Sequence, residues 1–296
     1  MSKSSIGFIG LGLMGYAMVQ RLQALGYPLN VMANRSRTNV EAAVANGAVE
    51  HATPRAVAEA SDIIMLCVDT SASVEANMLG EDGILAGLSE GNTVIDFGTS
   101  LPSSTRAMGE KAVALGAGYM DAPLGRTPAH AVDGLLNIMG AGDKAVFDRV
   151  KPVLDDLGEN VFHLGPLGAG HTVKLINNFF GMTVATTMSE AFAMADLAGV
   201  ERQTVYDVMS AGPLHSGMMD FVKGYAVDGD PDQLAFAIKN GRKDVGYYAT
   251  MADDNGVVSL MSGATKQALG LAVAEGKGDE MVSQMVDFFA ELFKAK

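Results

Sequence analysis

The sequence predicts an α/β chain in which a doubly wound, mostly parallel sheet occupies the amino-terminal half and helices alone fill the rest. Three observations predict it. Short apolar runs alternate with helical patterns through the first half, a glycine-rich turn joins the first run to the first helix, and no strand pattern follows Gly170. With 296 residues the chain exceeds one average domain, and 48% apolar against 19% charged residues suits a folded globule rather than a disordered chain.

The elements follow in order. Apolar runs at Ile6–Ile9, Leu29–Ala33, Ile63–Val68, Thr93–Phe97, Tyr119–Ala122 and Leu135–Met139 predict strands, with another at Val161–Leu164. The breaker-rich segment Gly165-Pro166-Leu167-Gly168-Ala169-Gly170 leads straight into a long helical pattern from His171 to about Leu197. A boundary is therefore predicted there, giving domains of residues 1–165 and 166–296. The long helix carries Lys174, Asn177, Asn178, Glu190 and Asp196, so it reads as a buried helix and no membrane span is expected. The acidic stretch from Asp228 to Asp232 reads as a surface loop.

The formal charge of −13 argues against nucleic acid or an anionic membrane as partner, so an anionic ligand has to be gripped locally. Cys67 is the sole cysteine and lies in an apolar run. It excludes an intrachain disulfide and fits a buried small hydrophobe in a cytoplasmic protein. The opening segment, one lysine and then apolar residues, resembles a secretion signal only superficially, because its glycines are spaced for another purpose. Nothing in the sequence calls for a metal.

That purpose is phosphate binding. Ile6–Ile9 leads into Gly10-Leu11-Gly12-Leu13-Met14-Gly15 and then a helical pattern to Leu25, which is strand, G-x-G-x-x-G, helix. Gly10 permits the tight turn, Gly12 lets the backbone approach a pyrophosphate, and Gly15 lets helix pack on strand. The helix amino end adds amide donors and a positive dipole end. The first domain is thus expected to be Rossmann-like and to bind NAD(P). The second predicted strand runs into Asn34-Arg35-Ser36-Arg37, where an NAD-selective site commonly has an acid. Two guanidinium groups instead suit a 2′-phosphate, so NADP is favoured over NAD; two solvated loop arginines are the plainer alternative.

With these motifs in view the chain resembles the β-hydroxyacid dehydrogenases, which include 3-hydroxyisobutyrate dehydrogenase and tartronate semialdehyde reductase. The likeness spans nearly the whole chain. It rests on the glycine motif from Phe8 to Gly15, on Asp121-Ala122-Pro123-Leu124, on Gly170-His171-Thr172-Val173-Lys174-Leu175-Ile176-Asn177-Asn178, and on Lys243-Asp244. It implies a Rossmann-like domain, a long interdomain helix, and an all-helical substrate and dimerisation domain, with a homodimer or homotetramer expected.

The resemblance also implies that Lys174 is catalytic. Chemistry supports the role independently, because hydride addition to an aldehyde creates an alkoxide that an ammonium can stabilise and protonate. Asn178 lies four residues on, on the same helix face, and Asn177 beside it; both are expected at the substrate. His171 reads as packing behind the lysine rather than as the proton donor. By resemblance, Lys243 lies near the nicotinamide with Phe236 packing nearby; taken alone, Lys243-Asp244 reads as a surface ion pair. Thr99 follows a predicted strand and is expected at the cofactor, whereas the Ser-Thr common in the family is Gly98-Thr99 in this chain.

One departure bears on the substrate. After Asp121-Ala122-Pro123 the family commonly has Val-Ser-Gly-Gly, which grips a carboxylate, but this chain reads Leu124-Gly125-Arg126-Thr127. Arg126 offers a charged planar fork and Thr127 a hydroxyl for an oxyanion. The Gly-Arg-Thr variant looks like the sulfolactaldehyde reductase branch, which implies a sulfonate substrate, sulfolactaldehyde or dihydroxypropanesulfonate. That branch favours NADH, against the reading of Asn34 and Arg35. Carboxylated semialdehydes (tartronate, succinic or methylmalonate) are the main rivals, and an arginine merely paired to Asp121 or Asp133 is the bland alternative. Imine reduction and a non-catalytic dinucleotide sensor are further alternatives; Lys174 counts against the first and the absence of any basic arm against a chromatin-reading version of the second.

Overall fold

Apolar runs without polar alternation must be covered on both faces, and the chain meets that demand with a sheet between two layers of helices. The computed structural model describes residues 3–33 and 37–294. Within the unit that ends at Lys174 the chain forms β1 (Ile6–Ile9), α1 (Leu13–Ala24), β2 (Leu29–Val31), α2 (Thr38–Ala45), β3 (Val49–Glu50), α3 (Pro54–Glu59), β4 (Ile63–Leu66), α4 (Ser71–Met78), α5 (Ile84–Gly87), β5 (Thr93–Asp96), α6 (Pro102–Val113), β6 (Gly118–Asp121), β7 (Leu124–Gly125), α7 (Pro128–Asp133), β8 (Leu136–Gly142), α8 (Lys144–Leu157) and β9 (Gly158–His163).

The sheet order is β3-β2-β1-β4-β5-β6-β8-β7, with β9 paired to β8. Neighbours from β3 through β6 are parallel, whereas β8 runs antiparallel to both β6 and β7. Strand order reverses between β1 and β4, and ligands of open sheets collect beyond the carboxyl ends of strands at such a point. Alternate residues of each central strand feed opposite cores. Ile6, Phe8, Met65 and Ile95 join Met18 and Leu22 of α1 and Phe147, Val150 and Leu154 of α8 on one side. Ile9, Ile64, Leu66 and Val94 join Val57 of α3, Val74 of α4 and Met108 of α6 on the other.

Helix α9 (Ala169–Ala198) is continuous, and the chain's second unit begins at Leu175 along it. The unit continues with α10 (Arg202–Ser210), α11 (Gly217–Ala226), α12 (Ile238–Asp254), α13 (Leu260–Ala274) and α14 (Met285–Lys294). Its core is Met182, Met188 and Phe192 of α9 packed with Val245, Leu269, Met285 and Phe288. One isolated bridge, Ala237 with Met281, is the only β pairing among its described residues. No helix among the described residues is long and apolar enough to cross a membrane.

The predicted fold class stands. Two strands escaped the sequence: β3 and β7 are two residues long, too short to carry a periodicity, and each exists because a neighbour offers its edge. Asp228–Asp232, expected as loop, contains a single 3-10 turn from Pro231.

Candidate active site

The glycine motif connects β1 to α1 as predicted, and each glycine is there for a different reason. Gly10 has φ +100°, and a Cβ on it would lie 2.3 Å from the Cys67 carbonyl oxygen. At Gly15 a Cβ would lie 2.0 Å from the Gly10 oxygen. Gly12 differs, since a Cβ there would meet nothing of the chain within 4 Å. The fold itself does not demand glycine at that point, and a phosphate approaching the backbone does. Gly12 caps α1 without any side-chain bond, which leaves the first amides of a twelve-residue helix aimed at an anion. Around it Leu11 and Met14 pack partly on the core and Leu13 is exposed. The donor set fits a dinucleotide pyrophosphate.

Asn34, Arg35 and Ser36 lie outside the described residues. Arg37, the second guanidinium of that segment, pairs with Glu50 at 3.1 Å and with Glu41 at 3.1 Å.

Beyond β5, Asp96 accepts from the Gly98 amide at 2.8 Å and from the Ser100 hydroxyl at 2.9 Å. A Cβ at Gly98 would lie 2.9 Å from Asp96 Oδ1 and 3.0 Å from the Val68 oxygen. This tight fit accounts for glycine where the resemblance expects serine. Thr99 follows, half-buried. Asp121, at the end of β6, is fully buried and accepts from the amides of Gly168 and His171 at 2.8 and 2.7 Å. Burial holds its carboxyl above the usual carboxylate range, with neighbouring His171 and the two amides opposing part of that rise. His171 is likewise fully buried, its Nδ1 2.7 Å from Thr105 Oγ1. Lys174 follows one turn later on α9 and is half-buried.

The predicted substrate loop leaves β7. Gly125 pairs with Asn137 in the sheet, and a Cβ on it would press on the Asn137 side chain at 3.2 Å. Arg126 takes φ +77°, one of two non-glycine residues with positive φ among those described. Its Nη1 donates to the Leu135 carbonyl at 2.7 Å and pairs with Glu159 at 2.5 Å. The expected alternative partners were wrong: Asp121 is spent on α9, and Glu159 of β9 is the counter-ion. Thr127 starts α7 and its hydroxyl lies 2.7 Å from His130 Nδ1.

In the second unit Asn178 is buried, and its amide donates to Asp244 Oδ2 at 2.6 Å while accepting from Asn177 at 3.2 Å. Lys243 Nζ lies 3.0 Å from Asp244 Oδ1. Asp244 is 2% exposed, so the surface-pair reading of Lys243-Asp244 fails. Phe236 is half-buried against the unit's core. No cluster of metal-ligating side chains occurs among the described residues.

Residues 5–165 match the family model described as the NAD binding domain of 6-phosphogluconate dehydrogenase, and residues 168–289 match that described as NAD-binding of NADP-dependent 3-hydroxyisobutyrate dehydrogenase. The chain is 33% identical to 2-(hydroxymethyl)glutarate dehydrogenase of Eubacterium barkeri, over 82% of this chain and 84% of the relative. The chain belongs to the 3-hydroxyisobutyrate dehydrogenase-like family. It is also 34% identical to 2-hydroxy-3-oxopropionate reductase of Escherichia coli, over 73% of each chain. The fold of 3-hydroxyisobutyrate dehydrogenase from Mycobacterium tuberculosis superposes with TM-score 0.84 at 21% identity, covering 97% of this chain and 99% of that one.

Membership in this dehydrogenase family makes the chain an oxidoreductase with an NAD(P)-binding domain, of the hydroxyacid and semialdehyde class. The sensor alternative loses its footing. Asp96, Asp121 and Asp244 are the polar residues that sequence reasoning undervalued. For Asp96 and Asp121 a lone carboxylate in an apolar run was the available signal, since a buried charge survives only with partners, whereas Asp244, next to Lys243, gave none.

Proposed function

We propose that this dehydrogenase interconverts a small anionic aldehyde and its hydroxy compound, with sulfolactaldehyde and dihydroxypropanesulfonate the leading pair and NADP(H) the favoured cofactor. The observation that supports this most is Arg126, an arginine accepted at a left-handed backbone position. Such a conformation costs about 1 kcal/mol or more for a residue with a Cβ, and glycine would avoid it. The contacts of its guanidinium to the Leu135 carbonyl and to Glu159 are both made by Nη1, and Nε with Nη2 is the edge assigned to the oxyanion. Thr127, turned by His130, adds a hydroxyl to the same loop.

The bound dinucleotide supplies or accepts the hydride. Lys174 protonates the alkoxide oxygen in reduction and takes the proton back in oxidation. Asn178, one helical turn on and fixed by Asp244, offers its amide oxygen as acceptor toward substrate or lysine, with Asn177 beside it. Gly10 to Gly15 hold the pyrophosphate, and Thr99, Phe236 and Lys243 are assigned to the cofactor. Arg35 takes the 2′-phosphate, joined by Arg37 once it leaves Glu50 and Glu41, solvent-screened surface pairs that hold it only weakly. Exposed apolar residues Val257, Val258, Leu260 and Met261 support assembly into a homodimer or homotetramer, and the single-cysteine composition a cytoplasmic site.

Initial rates with sulfolactaldehyde and with tartronate, succinic and methylmalonate semialdehydes, each with NADH and NADPH, test the proposal. The highest kcat/KM is expected for sulfolactaldehyde with NADPH. A carboxylated semialdehyde in first place rejects the sulfonate assignment, and a strong NADH preference rejects the cofactor assignment. The carboxylate reading has its own support, because Glu159 already seats a carboxylate on Arg126.

A further inference from the structure

The first amides of a helix ordinarily go to a capping side chain at the surface or to water. In α9 they go to a carboxylate in the protein interior. Asp121 Oδ1 accepts from Gly168 and Oδ2 from His171, at 2.8 and 2.7 Å, and the side chain has no exposure. Gly170, between them, allows the approach: a Cβ on it would lie 2.2 Å from the Met139 oxygen and 2.8 Å from Asp121 Oδ2.

The His171 side chain carries the arrangement further. Its Nδ1 meets Thr105 Oγ1 of α6 at 2.7 Å and lies 3.8 Å from Asp121 Oδ2, while Nε2 lies 3.8 Å from Asp96 Oδ2. Thr105 Oγ1 is in turn 3.1 Å from the Leu101 carbonyl, and Tyr119 places its buried hydroxyl in the same interior. Two carboxylates and an imidazole, all without exposure, thus converge on a single helical turn that is hydrogen-bonded to β6 and α6, with the Asp96 carboxylate of β5 beside the imidazole. Burying charge is unfavourable and capping a helix does not require it. The turn fixed in this way is the one directly before Lys174.

We propose that Asp121, acting with His171 and Thr105, is a positioning residue for Lys174, setting the depth and rotation at which the ammonium is presented. This rests on Lys174 being the proton donor and acceptor. Asparagine at position 121 keeps the shape but can accept only one of the two amides, and its own NH2 then faces the other, donor against donor. The helix survives and its first turn shifts. A reacting group misplaced by an ångström loses about a hundredfold in rate.

The test uses the full-length enzyme with its best substrate from the panel. Lys174→Met decides the underlying reading: kcat is expected to collapse with NAD(P)H affinity kept, and full turnover overturns the reading and the inference together. With the lysine shown to be required, Asp121→Asn decides the inference alone. Its kcat is expected to fall by about tenfold to a hundredfold, with substrate KM and cofactor Kd within about twofold and a displaced alkaline limb in the kcat profile against pH. Unchanged kcat overturns it, as does a KM and Kd that worsen as much as kcat, the mark of general loosening. Should that variant not fold, Thr105→Val, which removes the hydroxyl shared by His171 and the Leu101 carbonyl of its own helix, is expected to lower kcat several-fold at constant KM. A parental kcat in Thr105→Val then overturns the inference.

Discussion

The phosphate loop and the substrate loop pose the same backbone problem and solve it oppositely. Gly10 sits at φ +100° and Arg126 at φ +77°, both in the region that disfavours side chains. At Gly10 the Cys67 carbonyl fills the space a Cβ would need, so glycine is obligatory. At Arg126 a side chain is accommodated at positive φ, and on the proposed function the strain is tolerated for the sake of its guanidinium. In these two loops the residue at the left-handed position thus differs with the space around it: glycine where a carbonyl crowds the Cβ site, arginine where a side chain fits.

If packing governs the first loop, Gly10→Ala must fail outright. A methyl against a carbonyl oxygen together with the φ penalty is expected to cost about 3 kcal/mol or more, seen as loss of soluble protein or a large fall in unfolding temperature. If chemistry governs the second, Arg126→Gly is expected to leave stability within about 1 kcal/mol, since relief of strain offsets the exposed ion pair. The same change should lower kcat/KM for anionic aldehydes by about 2 to 3 kcal/mol, or roughly 30- to 150-fold, and spare a neutral aldehyde of equal length. Equal losses on both aldehydes would remove Arg126 from the site.

Gly12 is the exception inside the phosphate loop, having space but no strain. Gly12→Ala should unfold like the parent while its NAD(P)H dissociation constant rises about tenfold, or roughly 1.4 kcal/mol, by calorimetric titration. A drop in stability instead would mean that Gly12, too, is a packing glycine. Glu159→Gln is expected to matter least, shifting stability by under about 1 kcal/mol and KM by a small factor, because the Leu135 carbonyl still holds Nη1. A large KM effect would make Glu159 a part of the grip on substrate.

Much of this was legible from sequence because the signals are local. The strands from β1 to β6 other than β3 announced themselves as apolar runs, and the glycine motif announced a dinucleotide loop by its spacing between a predicted strand and a predicted helix. Where partners lie far apart in the chain, the sequence is silent. Arg126 finds Glu159 only because β7, β8 and β9 are adjacent, and Asp121 reaches His171 across 50 residues. Asp244 looked like half of a surface pair, since its Asn178 partner is 66 positions away. Polar residues inside apolar segments are the ones whose roles await tertiary contacts.

The locked start of α9 also bears on which changes in length the chain can survive. Each residue gained or lost in a helix rotates everything beyond it by about 100°. With the turn at Gly168 to His171 anchored, a single insertion before Lys174 would swing its amine to another side of the helix, whereas the stretch around Gly165 and Pro166 could absorb the same insertion as slack. Natural and engineered variants of altered length should therefore be tolerated upstream of Gly168 and selected against at Thr172 and Val173, the two residues that separate the anchor from the amine.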